Sequence, residues 1–155
     1  MNFFFRTMTD EDAREVAGWH YESPYSFYDM DHDPDDQREL LDPRSRGDAY
    51  FTALDEKGGV VGFFSFRWTG AVIDVGLGLR PDLTGRGIGL SFVVAGLAFA
   101  EGRFGRECPL RLAVATFNTR AIRVYEQAGF SIRSRFMQAT NGGLHEFVEM
   151  IKDDG

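Results

Sequence analysis

Residues 79–104 read LRPDLTGRGIGLSFVVAGLAFAEGRF and constrain the fold more than any other stretch. A short apolar strand ending at Leu79 passes through Arg80 and Pro81 into Thr84-Gly85-Arg86-Gly87-Ile88-Gly89, and an apolar run of helix length follows at once. That run is apolar nearly all round, with Leu90, Val93, Val94 and Leu97 on one face and Phe92 and Phe99 on another. Such a helix has to be buried against a sheet. Gly105 and Pro109 end it, and 110–114 reads as a further strand. A right-handed helical crossover would lay that strand parallel to 71–79. Glycine carries no Cβ, so main-chain N–H groups in the turn can close on a ligand. The first N–H groups of a helix lack partners and lie at the positive end of its dipole, which suits an anion. A phosphorylated ligand is therefore expected at this turn.

Spacing separates the phosphate-binding patterns that compete for the turn. A P-loop needs Gly-Lys followed by a hydroxyl residue, and none occurs. A dinucleotide fingerprint needs Gly-x-Gly-x-x-Gly, but the sixth position counted from Gly85 is Leu90, and no suitably placed carboxylate follows. What remains resembles the pyrophosphate loop of the GCN5-related N-acetyltransferases (GNAT), Arg/Gln-x-x-Gly-x-Gly/Ala, with Gly87 and Gly89 on the two small positions and Thr84 where the family usually has Arg or Gln. A second run, Asn118-Thr119-Arg120-Ala121-Ile122-Arg123-Val124-Tyr125-Glu126-Gln127-Ala128-Gly129-Phe130, resembles the family's Asn-x-x-Ala-x-x-x-Tyr-x-x-x-Gly-Phe and follows a strand, in the family's order. Gly129 is well placed as the residue after the helix, where a left-handed conformation is required.

The resemblance implies an α/β GNAT fold: a mixed, mostly antiparallel twisted sheet with a central splayed parallel strand pair and helices on both faces. It covers 50–130 well and the ends by element order. It also implies acetyl-CoA as co-substrate, carried by Leu77, Leu79, Thr84, Gly85, Arg86, Gly87, Ile88, Gly89 and Asn118. In this reading Asn118 meets the pantetheine amides and Tyr125 protonates the departing thiolate. Arg80 is a further phosphate contact, and Arg120 and Arg123 are lesser ones. Arg86 and Arg80 are each equally ordinary solvated arginines. The alternative for Tyr125 is a core aromatic on an amphipathic helix.

The N-terminal part places a strand over 2–8 and a helix opened by Thr9 and Asp12 as a capping box. The following stretch, Trp19-His20-Tyr21-Glu22-Ser23-Pro24-Tyr25-Ser26-Phe27-Tyr28, has no period but is dense in aromatic rings with polar tips. Rings of this kind line pockets, so Trp19, Tyr21, Tyr25 and Tyr28 are candidate walls of an acceptor site. The alternative is an aromatic cluster that only covers a sheet edge. His20 stays a candidate by proximity. Asp33 caps a helix that has Pro34 at its first position. Asp31, His32 and Asp33 are too close in sequence to make a convincing metal set, and no metal is expected.

From Tyr50 the pattern turns to strands: 50–54 and 60–68 around Glu56-Lys57-Gly58-Gly59, then 71–79, and at the end 130–139 and 145–152 around Thr140-Asn141-Gly142-Gly143. Asp74 lies among apolar neighbours on the third of these. A carboxylate there needs a partner or a task. In some members of the family an acidic residue at the matching place acts as base. The competing reading is a cross-strand pair with Arg67 or another cation.

A chain of 155 residues that is 43% hydrophobic with 15 Phe suits one domain, here 1–155. The net charge of −7 disfavours nucleic acid and anionic membranes and favours a cationic acceptor. A single cysteine, Cys108, and no stretch of the roughly 18 apolar residues that a membrane helix needs point to a cytoplasmic protein. The expected reaction is acetyl transfer from acetyl-CoA to a primary amine of a small cationic molecule. A protein N-terminal or lysine acetyltransferase and a non-catalytic acyl-CoA sensor are the alternatives. Sheet edges free to pair between subunits allow a homodimer.

Overall fold

The structure, a computed structural model, describes residues 1–153 and all of their side chains except that of Asp31. In chain order it contains β1 (Phe4–Thr7), α1 (Asp10–Ala17), α2 (Pro34–Leu41), α3 (Pro43–Arg46), β2 (Tyr50–Leu54), β3 (Val60–Trp68), β4 (Ile73–Leu79), α4 (Gly89–Phe104), β5 (Leu110–Ala115), α5 (Thr119–Gln127), β6 (Ser131–Thr140) and β7 (Gly143–Lys152). One mixed sheet holds the strands in the order β1-β2-β3-β4-β5-β7-β6, with helices on both faces. The pairs β1–β2, β2–β3, β5–β7 and β6–β7 are antiparallel, and β4–β5 is parallel. The parallel ladder joins Ile73 to Leu110 and Asp74 to Arg111, whereas β5 continues along β7 as far as Ala115 opposite Phe147. This is the GNAT arrangement expected from the two motifs.

The chain packs as two compact units. The first comprises 1–65 and 77–84. Its core joins Met8, Ala13, Val16, Leu40, Tyr50 and Phe63, with Trp19 and Met30 packed against them. The capping box at Thr9 forms as expected: the Thr9 hydroxyl accepts from Asp12 N, and the Asp12 carboxylate accepts from Thr9 N. Asp12 also accepts from Arg6 and from the Thr52 hydroxyl. Burial alone would raise the Asp12 carboxyl, but these donors outweigh it and hold it below its ordinary value. α1 ends at Ala17, with Gly18 as its C-cap. Asp33 caps α2 through Asp36 N, with Pro34 at the first position.

The second unit comprises 66–76 and the chain from Gly85 onward. Phe66 packs against Phe99 and Phe104 of α4, with ring centroids 6.4 and 5.7 Å apart. The β6–β7 turn is Asn141-Gly142, both with positive φ (51° and 77°), the two-residue geometry that matches the twist of paired strands. Short 3-10 turns at Tyr25–Tyr28, Met30–His32 and Pro81–Leu83, and the four-residue α3, were not legible from periodicity. Elements this short contain too few residues to display a period.

Candidate active site

In the second unit the glycine turn adopts the backbone that its composition requires. Gly85 and Gly87 have φ of +73° and +80°, values at which a Cβ meets the following carbonyl. At Gly87 a side chain would find open space, so only the backbone conformation demands glycine there. At Gly85 a Cβ would also stand 3.3 Å from Arg120 Nη1, which puts the Arg120 guanidinium against the turn. The residue preceding α4, Ile88, makes no side-chain cap hydrogen bond. The first helical bond runs from Phe92 N to Ile88 O at 2.9 Å. The N–H groups of Gly89, Leu90 and Ser91 thus precede the hydrogen-bond ladder and concentrate the positive end of the helix dipole. A Cβ on Gly89 would touch Val124 at 3.8 Å, so the start of α4 rests on α5. Arg86 is exposed.

Asn118 is buried and caps α5: its Oδ1 accepts from Ala121 N at 3.1 Å. Tyr125 is half-buried and meets Phe130 edge to face at 6.1 Å. Phe130 N donates to Tyr125 O at 2.9 Å and Gly129 N to Glu126 O at 3.1 Å, the paired bonds of a helix that ends on a left-handed residue. Gly129, with φ +107°, is that residue, as expected. The core packing weighed as the alternative for Tyr125 is therefore present on one side of its ring. The same helix carries Arg120 against the glycine turn and Asn118 at its start.

Asp74 has a partner across the parallel ladder. It lies in the first half of β4, opposite Arg111 of β5, and Arg111 Nη1 donates to Asp74 Oδ1 at 3.1 Å. Arg111 Nε donates to Glu149 at 2.5 Å, and the guanidinium holds the Glu149 carboxyl below its usual range. The partner weighed at sequence level thus exists, with Arg111 in the place proposed for Arg67. Arg80 is likewise engaged, by both oxygens of Asp82 and by Val60 O.

In the first unit the aromatic stretch meets the end of β4. The Tyr21 hydroxyl donates to Leu79 O at 2.8 Å. Burial, with the Asp29 charge adding to it, pushes the phenol above its ordinary range, so it remains a donor. Arg80 N donates to Val61 O on β3. Strand alternation therefore turns the Leu79 carbonyl toward the other edge of β4. Asp29, 5% exposed, accepts from Tyr21 N at 2.8 Å and faces His20 Nδ1 at 3.1 Å. Tyr28 packs edge to face on Phe27 at 5.3 Å. Tyr25 is half-buried, and Trp19 packs on the core beneath. Leu77 and Thr84 are half-buried in this unit, and the Thr84 hydroxyl donates to Pro81 O at 2.8 Å, back into its own turn.

Two residues with a prominent place were underweighted in the sequence reading. Asp29 was given no role of its own there. Arg120 carried little weight, because nothing in its spacing tells which way an arginine on the first turn of α5 reaches.

A family model described as Acetyltransferase (GNAT) domain matches residues 2–131. Mycothiol acetyltransferase from Mycolicibacterium gilvum is 34% identical over 93 residues, which cover 54% of this chain and 29% of that protein. The enzyme of that name from Propionibacterium freudenreichii is 36% identical over 90 residues, 53% of this chain and 27% of that protein. The matched stretch is thus under a third of the length of these relatives. Among solved structures, spermidine N-acetyltransferase from Vibrio cholerae in complex with CoA and spermine superposes with a TM-score of 0.76 at 18% identity, covering 96% of this chain and 94% of that one. A GNAT-family acetyltransferase from Bacillus anthracis gives 0.76 at 16% identity, covering 97% and 94%. At these identities the structural likeness speaks for the fold.

Proposed function

The chain belongs to the GNAT acetyltransferase family, and from that premise we propose that it transfers the acetyl group of acetyl-CoA to a primary amine of a small cationic molecule. The observation that carries the reading is the start of α4, which has no side-chain cap behind Gly85 and Gly87 and has the Arg120 guanidinium beside it. Main-chain N–H groups with a neighbouring cation suit a diphosphate. In the proposal, residues 84–89 and Arg120 hold the diphosphate of CoA. The main chain of Leu77 and Leu79 and the side chain of Asn118 guide the pantetheine arm.

A lysine-like ammonium has a pKa near 10.4 and no lone pair, so at pH 7 only about one amine in 2,500 is ready to attack. Once neutral, its nitrogen bonds to the thioester carbon. A main-chain N–H between Leu77 and Leu79 then stabilises the oxygen that becomes negative. The C–S bond breaks, and Tyr125 is the proposed proton donor to the departing thiolate. Asp74, the carboxylate that the resemblance offers as base, is engaged by Arg111, and its part is tested by substitution below. Trp19, Tyr21, Tyr25 and Tyr28 are the proposed acceptor walls. A net charge of −7 supports a cationic acceptor, as does the spermine held by the Vibrio cholerae neighbour.

The test is thiol release from acetyl-CoA against panels of small amines and of peptides. Turnover with small polyamines or aminated metabolites supports the proposal, and turnover confined to peptides refutes its acceptor class. CoA binding by calorimetry with no transfer to any amine marks a sensor. Tyr125→Phe is expected to lower kcat by about 10²-fold or more with CoA affinity unchanged. Unchanged turnover and pH profile would remove the acid role.

A further inference from the structure

We infer that the outer edge of β6 is the surface on which this chain pairs with a second copy of itself, β6 against β6, about a two-fold axis at Phe136. β6 is the last strand of the sheet, with β7 on one side, and among the described residues no strand lies on the other. It runs for ten residues and is exposed along nearly all of them. The N–H and C=O groups along such an edge form a template for another strand. No Pro or Gly in β6 blunts it.

The register within the second unit tells which groups face outward. Thr116 N donates to Glu146 O at 3.1 Å, so the main-chain groups of Glu146 face β5. Glu146 stands opposite Met137 in the β6–β7 ladder. Two residues of such a pair turn their groups away from each other. Met137, and by alternation Arg135 and Ala139, therefore present N–H and C=O at the outer edge. Their side chains share one sheet face with Glu146 and Leu144, the ladder partners of Met137 and Ala139. On that face Met137 is 55% and Leu144 66% exposed, an apolar pair left in water at the end of the hairpin.

Charge selects a second copy of this chain and fixes its register. An axis at Arg135 would set two guanidinium groups directly opposite each other, which is destabilising. An axis at Phe136 sets Arg135 opposite Met137 of the second copy, and Ser134 opposite Gln138. The row across the joint then reads Val148 and Arg135 from one copy, Met137 and Glu146 from the other, and the two-fold repeats it in reverse. Strands lie about 4.8 Å apart, so that glutamate stands two spacings from Arg135, within reach of two long side chains. Arg135 already has its own Glu146 at 3.8 Å. The joint thus closes on two arginines and two glutamates around a pair of methionines. An axis at Met137 would instead align Arg135 with Ala139 and Leu144, with no acid in its row. The bulge between Ile132 and Ser134 ends the regular pairing.

Sedimentation velocity over a concentration series tests the pairing. Wild type should form a dimer. Met137→Pro deletes an outward N–H and keeps the main-chain bonds to β7, so it should remain folded by its Tm and run as a monomer. Arg135→Glu gathers carboxylates at the joint and should raise the dimer Kd about tenfold or more. Arg135→Glu with Glu146→Arg should restore it, which decides the matter even where the proline variant unfolds. Register is read by oxidation in a Cys108→Ser background. A mixture of Ser134→Cys and Gln138→Cys chains should cross-link, because opposed residues of this kind lie about 4.5 Å apart at Cα, within the span of a disulfide. Either variant alone should not, since its own copies would lie about 13 Å apart. A wild type that stays monomeric at every concentration leaves the edge to another partner or to water and overturns the inference. So does a dimer indifferent to Met137→Pro and Arg135→Glu, or one variant cross-linking alone as well as the mixture. Thiol release measured on the same samples reports the acetyltransferase reading separately.

Discussion

Gly78 sits in β4 between Leu77 and Leu79, and alanine there tests how tightly this strand is set. An ideal Cβ would lie 2.5 Å from Phe63 Cε1, 3.1 Å from Cδ1 and 3.3 Å from Cζ. Carbon atoms prefer about 3.5–4.0 Å, so ring or strand must retreat by roughly 1 Å. The ring has little room, because Phe63 is 7% exposed, stacks on Tyr50 at 6.3 Å and shares a core with Met8, Val16 and Leu40. Overpacking of this kind costs about 1–3 kcal/mol. Replacing glycine lowers the entropy of the unfolded chain and offsets about 0.4–1 kcal/mol. With mid-range values the balance is a loss of about 1.3 kcal/mol, or a few degrees of Tm for a chain of this length. If the strand yields instead of the ring, the main chain at Leu77 and Leu79 shifts, and about 1 Å of misplacement costs on the order of 10²-fold in turnover. Differential scanning calorimetry and the thiol-release assay on Gly78→Ala measure both. Phe63→Leu should absorb much of the penalty, giving a coupling of about 0.5–2 kcal/mol in the double variant. A Gly78→Ala protein with unchanged or higher Tm, or the same loss with and without Phe63, would refute the packing argument.

Arg120→Ala should weaken CoA about tenfold, as expected for loss of a charge-assisted contact, and leave pantetheine, which has no diphosphate, unaffected; calorimetry with both ligands decides. Asp12 is held below its ordinary value, so its contribution to stability is present above the unfolded pKa of about 3.9 and is lost as pH falls through the folded value. Urea midpoints measured from pH 5 to pH 2 should therefore fall, and Asp12→Asn should flatten that fall. Asp74→Asn should leave kcat/KM within about threefold and remove at most about 1 kcal/mol of stability, because the pair with Arg111 is part-exposed. A drop of about 10²-fold would instead establish Asp74 as the base.

What the sequence disclosed was whatever depends on backbone chemistry. Thr9 and Asp12, Asp33 with Pro34, Gly129 and Asn141-Gly142 each sit where only a few residue types satisfy a helix end or a tight turn, and each is found in that role. The order of strands around α4 follows from burial of an apolar helix and the handedness of its crossover. What it concealed was the destination of long side chains. Asp74 promised either a partner or a task, and only the register of β4 against β5 selects Arg111 over Arg67.

The departure at Thr84 joins these two levels. The family pattern has a long donor, Arg or Gln, where this chain has a hydroxyl, and the Thr84 hydroxyl is turned onto Pro81 O and reinforces its own turn. If the anion were gripped by that side chain alone, the substitution would weaken the site. The start of α4 still has its uncapped N–H groups, and Arg120 approaches the same turn from α5, against a residue that has to be glycine for two reasons. Positive charge is thus supplied to the turn from a different element while the main-chain donors are kept. A change of residue at one position of a motif therefore says little until the neighbouring helix is known, because main-chain donors and a charge arriving from elsewhere can stand in for the missing side chain.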